Sequence, residues 1–146
     1  IALLALLASA QAAEATSPGK ASWRYAQWGM DPADLVRASG GAAQRHYEPS
    51  PESWGEYPTV KGTVREMGQD FEVWFYTDPL DGLYMIRLVP TGDYWCIDIR
   101  ERAMARWGYD VRFADGDPYW HDRKHAMRAS IIGFRGCTVK LEPLLE

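Results

Sequence analysis

The stretch from Phe71 to Thr77 constrains this chain more than any other. Its residues alternate strictly, with Phe71, Val73 and Phe75 on one face and Glu72, Trp74 and Tyr76 on the other. Such a period of two belongs to a β-strand. Asp78 to Gly82 reads as a hairpin loop ending in the glycine such loops favour. Leu83 to Val89 then returns as the partner strand, and Pro90 and Gly92 stop it. An isolated hairpin is marginal in water and needs more strands or a covering helix. Further strands are expected at Thr59 to Met67, Tyr119 to Asp122, Ala126 to Phe134 and Cys137 to Glu142. Gly68-Gln69 and Arg135-Gly136 supply tight turns between neighbours.

Two helices can cover such a sheet. Asp31 suits an N-cap, Pro32 the first helical position and Asp34 the first turn. Met30 and Leu35 form the hydrophobic staple, and Gly40 stops a short helix over 32–39. Asp93 is the expected cap of a second helix reaching Trp107, with positions 96, 99, 103, 104 and 107 on one apolar stripe. Ser22 to Trp28 reads as a short strand, and residues 40–58 and 110–118 as loops. The expected fold class is α+β, an antiparallel β-sheet with two short helices packed on one face. Trp28-Gly29 and Trp107-Gly108 mark a loose internal repeat.

Ile1 to Ala8 is apolar, and Ser9 to Ala12 fits a small-x-small cleavage site. Residues 1–12 therefore read as a signal peptide without its basic n-region, residues 13–20 as a flexible start and 21–146 as one domain. The run is too short to span a bilayer, so no stable membrane span is expected. A periplasmic or secreted location follows, and there Cys96 and Cys137 are expected to pair. Leu, Ile, Val and Phe number only 28 of 146, against 7 Trp and 8 Tyr. A core built with so few aliphatics has to be aromatic-rich. The net charge of -4 offers no electrostatic reason to bind nucleic acid.

Site chemistry is sparse. No nucleophile elbow, phosphate loop or dinucleotide fingerprint is present, so catalysis and cofactors are not expected. His121 and His125 have an HxxxH spacing, with Asp115 or Asp117 as a possible third ligand. In a strand these imidazoles would share a face but lie roughly 13 Å apart. They define an alternative reading as a metal-dependent or hydrolytic enzyme. A third reading is a structural cell-envelope component. The favoured reading is a small binding or inhibitor-like protein, acting through an aromatic sheet face and the 40–58 loop. Trp74 and Tyr76 would look outward beside Trp54, Tyr57 and Trp120 and anchor a protein or cell-envelope ligand. The competing arrangement packs these rings into a second small core. The protein itself is expected to be a monomer or weak homodimer.

The segment WRYAQWGMDPADLVRASGG resembles the opening of a group of uncharacterised exported bacterial proteins, with W-G-M-x-P as its mark. The later F-x-V-x-F, D-G-L-Y-x-I-x-L and C-T-V-K-L-E-P-L segments are similar to that group too. The resemblance implies a β-lactamase-inhibitor-protein-like fold, which small outer-membrane-assembly lipoproteins share. No lipid-attachment cysteine follows the apolar run, which argues against an anchoring role. The resemblance brings a fold and no catalytic motif.

Overall fold

Asp31 begins the first helix as its chemistry requires. In the computed structural model, which describes residues 22–47 and 57–145, the Asp34 N–H donates to Asp31 Oδ1 at 2.8 Å. Pro32 opens α1 (Pro32–Ala38), and Ser39 caps its end. The chain then lays down four strands: β3 (Ala43–Arg45), β4 (Val60–Glu66), β5 (Gln69–Asp78) and β6 (Gly82–Pro90). A second helix, α2 (Cys96–Trp107), precedes four more: β7 (Arg112–Ala114), β8 (Asp117–Asp122), β9 (Met127–Ile132) and β10 (Thr138–Pro143). Ahead of α1, β1 (Ser22–Trp23) and β2 (Ala26–Gln27) form a small separate hairpin. The signal-peptide segment, the flexible start and Trp54 lie outside the described residues.

The sheet has eight strands in the order β3-β4-β5-β6-β10-β9-β8-β7, and every pairing is antiparallel. Each half is therefore one helix followed by a four-strand meander, and the halves meet along β6 and β10. This repeat is not the one Trp28-Gly29 and Trp107-Gly108 suggested. The first dipeptide precedes α1, whereas the second ends α2.

Both helices pack on one face. Leu35 of α1 and Ile99 and Ala103 of α2 join Phe71, Val73, Phe75, Ile86, Leu88, Val139 and Leu141 in one buried cluster. Trp23 of the small hairpin leans on Phe75, with ring centroids 6.1 Å apart. The hairpin is tied down at its turn, where Arg24 Nε donates to Glu66 Oε2 at 3.0 Å. Arg106 of α2 reaches the other oxygen of the same buried carboxylate. Glu66 thus joins the hairpin, the sheet and α2 at one point. Gly82, with φ +70, is required because a Cβ there would overlap the backbone of Gly29. That closeness lets Leu83 bond the main chain of Gly29 and Met30, with Gly29 N–H donating to Leu83 O at 2.9 Å and Leu83 N–H donating to Met30 O at 2.8 Å.

Several expectations need correction. Ser22 to Trp28 is not one strand, because Arg24 adopts φ 52 and turns the chain between β1 and β2. The 40–58 loop holds the edge strand β3, which approaches closely where Gly62 has no side chain. The 110–118 loop likewise contains β7 and the start of β8. Helix α2 begins later than Asp93, with Trp95 as an N-cap that makes no side-chain bond. The disulfide between Cys96 and Cys137 is formed, with Cα atoms 5.5 Å apart. It does not lie deep in the core. Cys96 is exposed as the first residue of α2, while Cys137 is half-buried against the main cluster.

Candidate functional site

Strand alternation leaves the other face of the sheet without a helix. One row of paired residues crosses it from edge to edge: Gln44, Lys61, Trp74, Arg87, Lys140, Ser130, Tyr119 and Arg112, one from each strand. The row is dominated by cations and rings, and the two are stacked. Lys61 Nζ sits 4.1 Å from the Trp74 ring centroid. The Arg87 guanidinium lies over Tyr76 at 4.9 Å and Phe134 at 4.6 Å. That of Arg128 lies over Tyr119 at 4.0 Å. Arg135, in the turn before β10, covers Trp74 at 5.1 Å. Cation–ring contacts of this kind each contribute about 0.5–1 kcal/mol where exposed and more where desolvated.

This arrangement corrects the outward reading of Trp74 and Tyr76. Both lie on the face opposite Phe71, Val73 and Phe75, as alternation required. Their exposure is nevertheless 7% and 1%. They form a second small core with Met85 and Val89, flanked by Tyr84 and Phe134. Phe134 folds onto Trp74 from the turn, with centroids 5.7 Å apart, and the Trp74 Nε1–H donates to the Glu72 carboxylate. Arg87 Nη1 donates to the Tyr76 hydroxyl at 3.1 Å. The rings are thus the floor of this face and the cations its outer layer.

Trp120 is corrected more sharply. It points to the helix side, is 1% exposed, and donates through Nε1 to the Gly108 carbonyl at 2.9 Å. It packs beneath Trp107 of α2 at 5.9 Å between centroids. Tyr57 is 46% exposed at the foot of β4. Among the described residues, therefore, Tyr57, Trp74, Tyr76 and Trp120 are not gathered into one exposed patch.

The two histidines part company as well. Strand β8 stops at Asp122, so His125 falls in the following turn. There its Nδ1 pairs with Asp122 Oδ2 at 2.8 Å, an oxygen that Trp107 Nε1 also reaches at 3.3 Å. Asp122 thus serves the helix side, whereas His121 lies on the opposite face, stacked beside Tyr119 at 5.6 Å. Among the described residues no group of three or more His, Cys, Asp or Glu converges on one point. The His121 imidazole is held below its ordinary pKa, first by lost hydration and then by Arg112, Arg123 and Arg128, with Asp110 opposing.

The sequence reading passed over Arg87, Arg112, Tyr119, Arg128, Ser130 and Lys140. The available signal was the alternation of Arg128 and Ser130 in β9, and of Thr138, Lys140 and Glu142 in β10, once their register is known. A separate apolar cleft of about 320 Å³ lies beside the disulfide, between Ile97 and Arg100 of α2 and Pro118 and Ile132 of the sheet. Comparison of the chain with protein-family models, curated proteins and solved structures finds no match.

Proposed function

We propose that this protein is an exported binding module, which takes a protein or cell-envelope ligand on the helix-free face of its sheet. One observation carries the reading: a row holding four cations and two rings crosses all eight strands on the face the helices leave uncovered, with Lys61 and Arg87 of the row, and Arg128 beside it, stacked on rings. Arginine held over an aromatic floor loses little further side-chain freedom on binding and presents several fixed donors. Export is supported by the apolar run at 1–8, the small residues after it and the disulfide. No helix among the described residues is long and apolar enough to cross a membrane. The β-lactamase-inhibitor-protein-like arrangement is part of the same proposal. Its support is the pair of helix-plus-four-strand units sharing one antiparallel sheet.

The test leaves the ring floor intact and reverses charges above it. Lys61→Glu with Arg135→Glu should fold normally and reduce recovery of a cross-linked envelope partner at least tenfold. Arg37→Glu on exposed α1 is the control. Undiminished recovery by the double variant, at unchanged melting temperature, would sink the reading.

A further inference from the structure

We infer that the β7–β9 end of the helix-free face is a binding site for a doubly charged oxyanion, a phosphate or sulfate group, held by Arg112, Arg128, His121 and Ser130 around Tyr119. The inference rests on the preceding reading only in taking this face as the working surface. Tyr119 is the hub. In register it stands between Arg112 of β7 and Ser130 of β9, and His121 follows it on the same face of β8. His121 is in turn paired with Arg128. The Arg128 guanidinium rests on the Tyr119 ring at 4.0 Å, so its position is fixed before any ligand arrives.

Three facts point to an anion. First, neither Arg112 nor Arg128 has a carboxylate within ion-pair distance among the described residues. Elsewhere on the face Lys61 is matched with Glu72, Arg65 with Asp70 and Lys140 with Glu142, while Arg87, which also meets no acid among the described residues, donates to the Tyr76 hydroxyl. Glu142 stands opposite Arg128 in register, yet its carboxylate lies 3.4 Å from Lys140 Nζ. Second, two donors at this spot are buried without a partner, Arg128 Nε and Ser130 Oγ, and Ser130 is only 3% exposed. A buried polar group left unmatched is costly, and a ligand oxygen would match it. Third, lost hydration is the first cause that opposes protonation of His121, and Arg112, Arg123 and Arg128 add to it, so cations gather here although the chain as a whole carries -4. Asp110 is the one acid opposing them, and Asp117 lies farther along β8 at the cleft beside the disulfide.

The ligand class follows from the donor set. Two guanidinium forks, an imidazole and a hydroxyl exceed what one carboxylate accepts, whereas phosphate and sulfate offer more oxygens and more charge. Such an anion would also favour the imidazolium form of His121, so binding should strengthen as the pH falls from 7.5 to 5.5.

The full chain would be titrated with sodium sulfate at constant ionic strength, with chloride as the monovalent control, following the Arg128 Nε–Hε and His121 ring resonances by NMR. Sulfate does not titrate in this range, so any pH dependence belongs to the protein. The expected result is saturable movement of both side chains, a raised His121 pKa in sulfate and none in chloride. Arg128→Gln should weaken binding about tenfold or more. Arg112→Gln, on an exposed edge strand, serves should the first variant fold poorly, and should weaken binding severalfold. Arg37→Gln should change nothing. Shifts that are linear, equal in chloride, or retained in Arg112→Gln would overturn the site. Inorganic phosphate and vesicles containing phosphatidic acid, whose phosphomonoester can carry two charges, separate the sources. Vesicle sedimentation that depends on Arg112 indicates a lipid headgroup, and phosphate binding without it indicates a soluble ligand. Loss of sulfate binding with partner capture still dependent on Lys61 and Arg135 removes the anion site alone. The reverse result removes the module reading and leaves the site standing.

Discussion

Tyr119 and Trp120 are neighbours in one strand, yet they meet different solvents. Trp120 is sealed between the sheet and α2, with its N–H satisfied by a carbonyl. Tyr119 is half-buried on the opposite face beneath an arginine. The same contrast runs along β5, where Phe75 lies under Trp23 and Tyr25 while Trp74 lies under Lys61 and Arg135. The helix face is closed by secondary structure. The other is closed by single long side chains, each of which lays its charged head over a ring. A face of the second kind excludes water from its rings without becoming an apolar surface, and it remains open to ligands.

The largest break in that contrast should come from truncating its two members in turn. Trp120→Ala leaves a large void under α2 and an unmatched Gly108 carbonyl, and should cost about 4–5 kcal/mol. Tyr119→Ala should cost about 1 kcal/mol, the value of a half-buried ring and its cation contact. Urea unfolding of both variants measures the difference. Equal losses would mean that the two faces are energetically alike.

Next in size is the covalent tie. Replacing both Cys96 and Cys137 with serine releases a loop of 41 residues' separation, worth about 4 kcal/mol on the chain-entropy view. Because the bridge joins the exposed start of α2 to the strand end at β10, its loss should loosen the helix face first. Hydrogen exchange should then speed up in α2 before β5 and β6.

A smaller effect is expected at Glu66. Glu66→Gln removes the charge that Arg24 and Arg106 share, and should cost about 2–3 kcal/mol by thermal unfolding. The arginines are themselves partly solvated, so the loss should stay below that of a fully buried pair.

The parts of this fold that were legible beforehand are those set by neighbouring residues. Asp31 and Pro32 announce α1, and the alternation from Phe71 to Thr77 announces the faces of β5. The disulfide was legible because an apolar run at residues 1–8 suggests export and the chain has two cysteines to pair there. The short edge strands β3 and β7 were not, because three residues carry no readable period and their pairing depends on a partner strand. Nor was the burial of Trp74 and Tyr76, which is decided by Phe134 and by cations of distant strands. The candidate anion site is less legible still. Its side chains come from β7, β8 and β9, and only the register brings Arg112 and Ser130 to either side of Tyr119.

The smallest expected effect probes the helix-free face by pH. His121 is held below its ordinary pKa in the folded protein, mainly by lost hydration and next by its arginine neighbours. The unfolded chain therefore binds the proton more readily than the folded one. Stability from this residue is fully present above about pH 6.5, the unfolded value, and declines as the pH falls through that value toward the lower folded one. His121→Gln should flatten that limb of the stability profile, whereas His125→Gln, on the helix side, should leave its shape at His121 unchanged. Raising the salt concentration should weaken the arginine part of the effect, because these charges lie near solvent. The hydration part should persist. A limb that vanished entirely in salt would make the arginines, rather than the covering of the face, the reason His121 resists its proton.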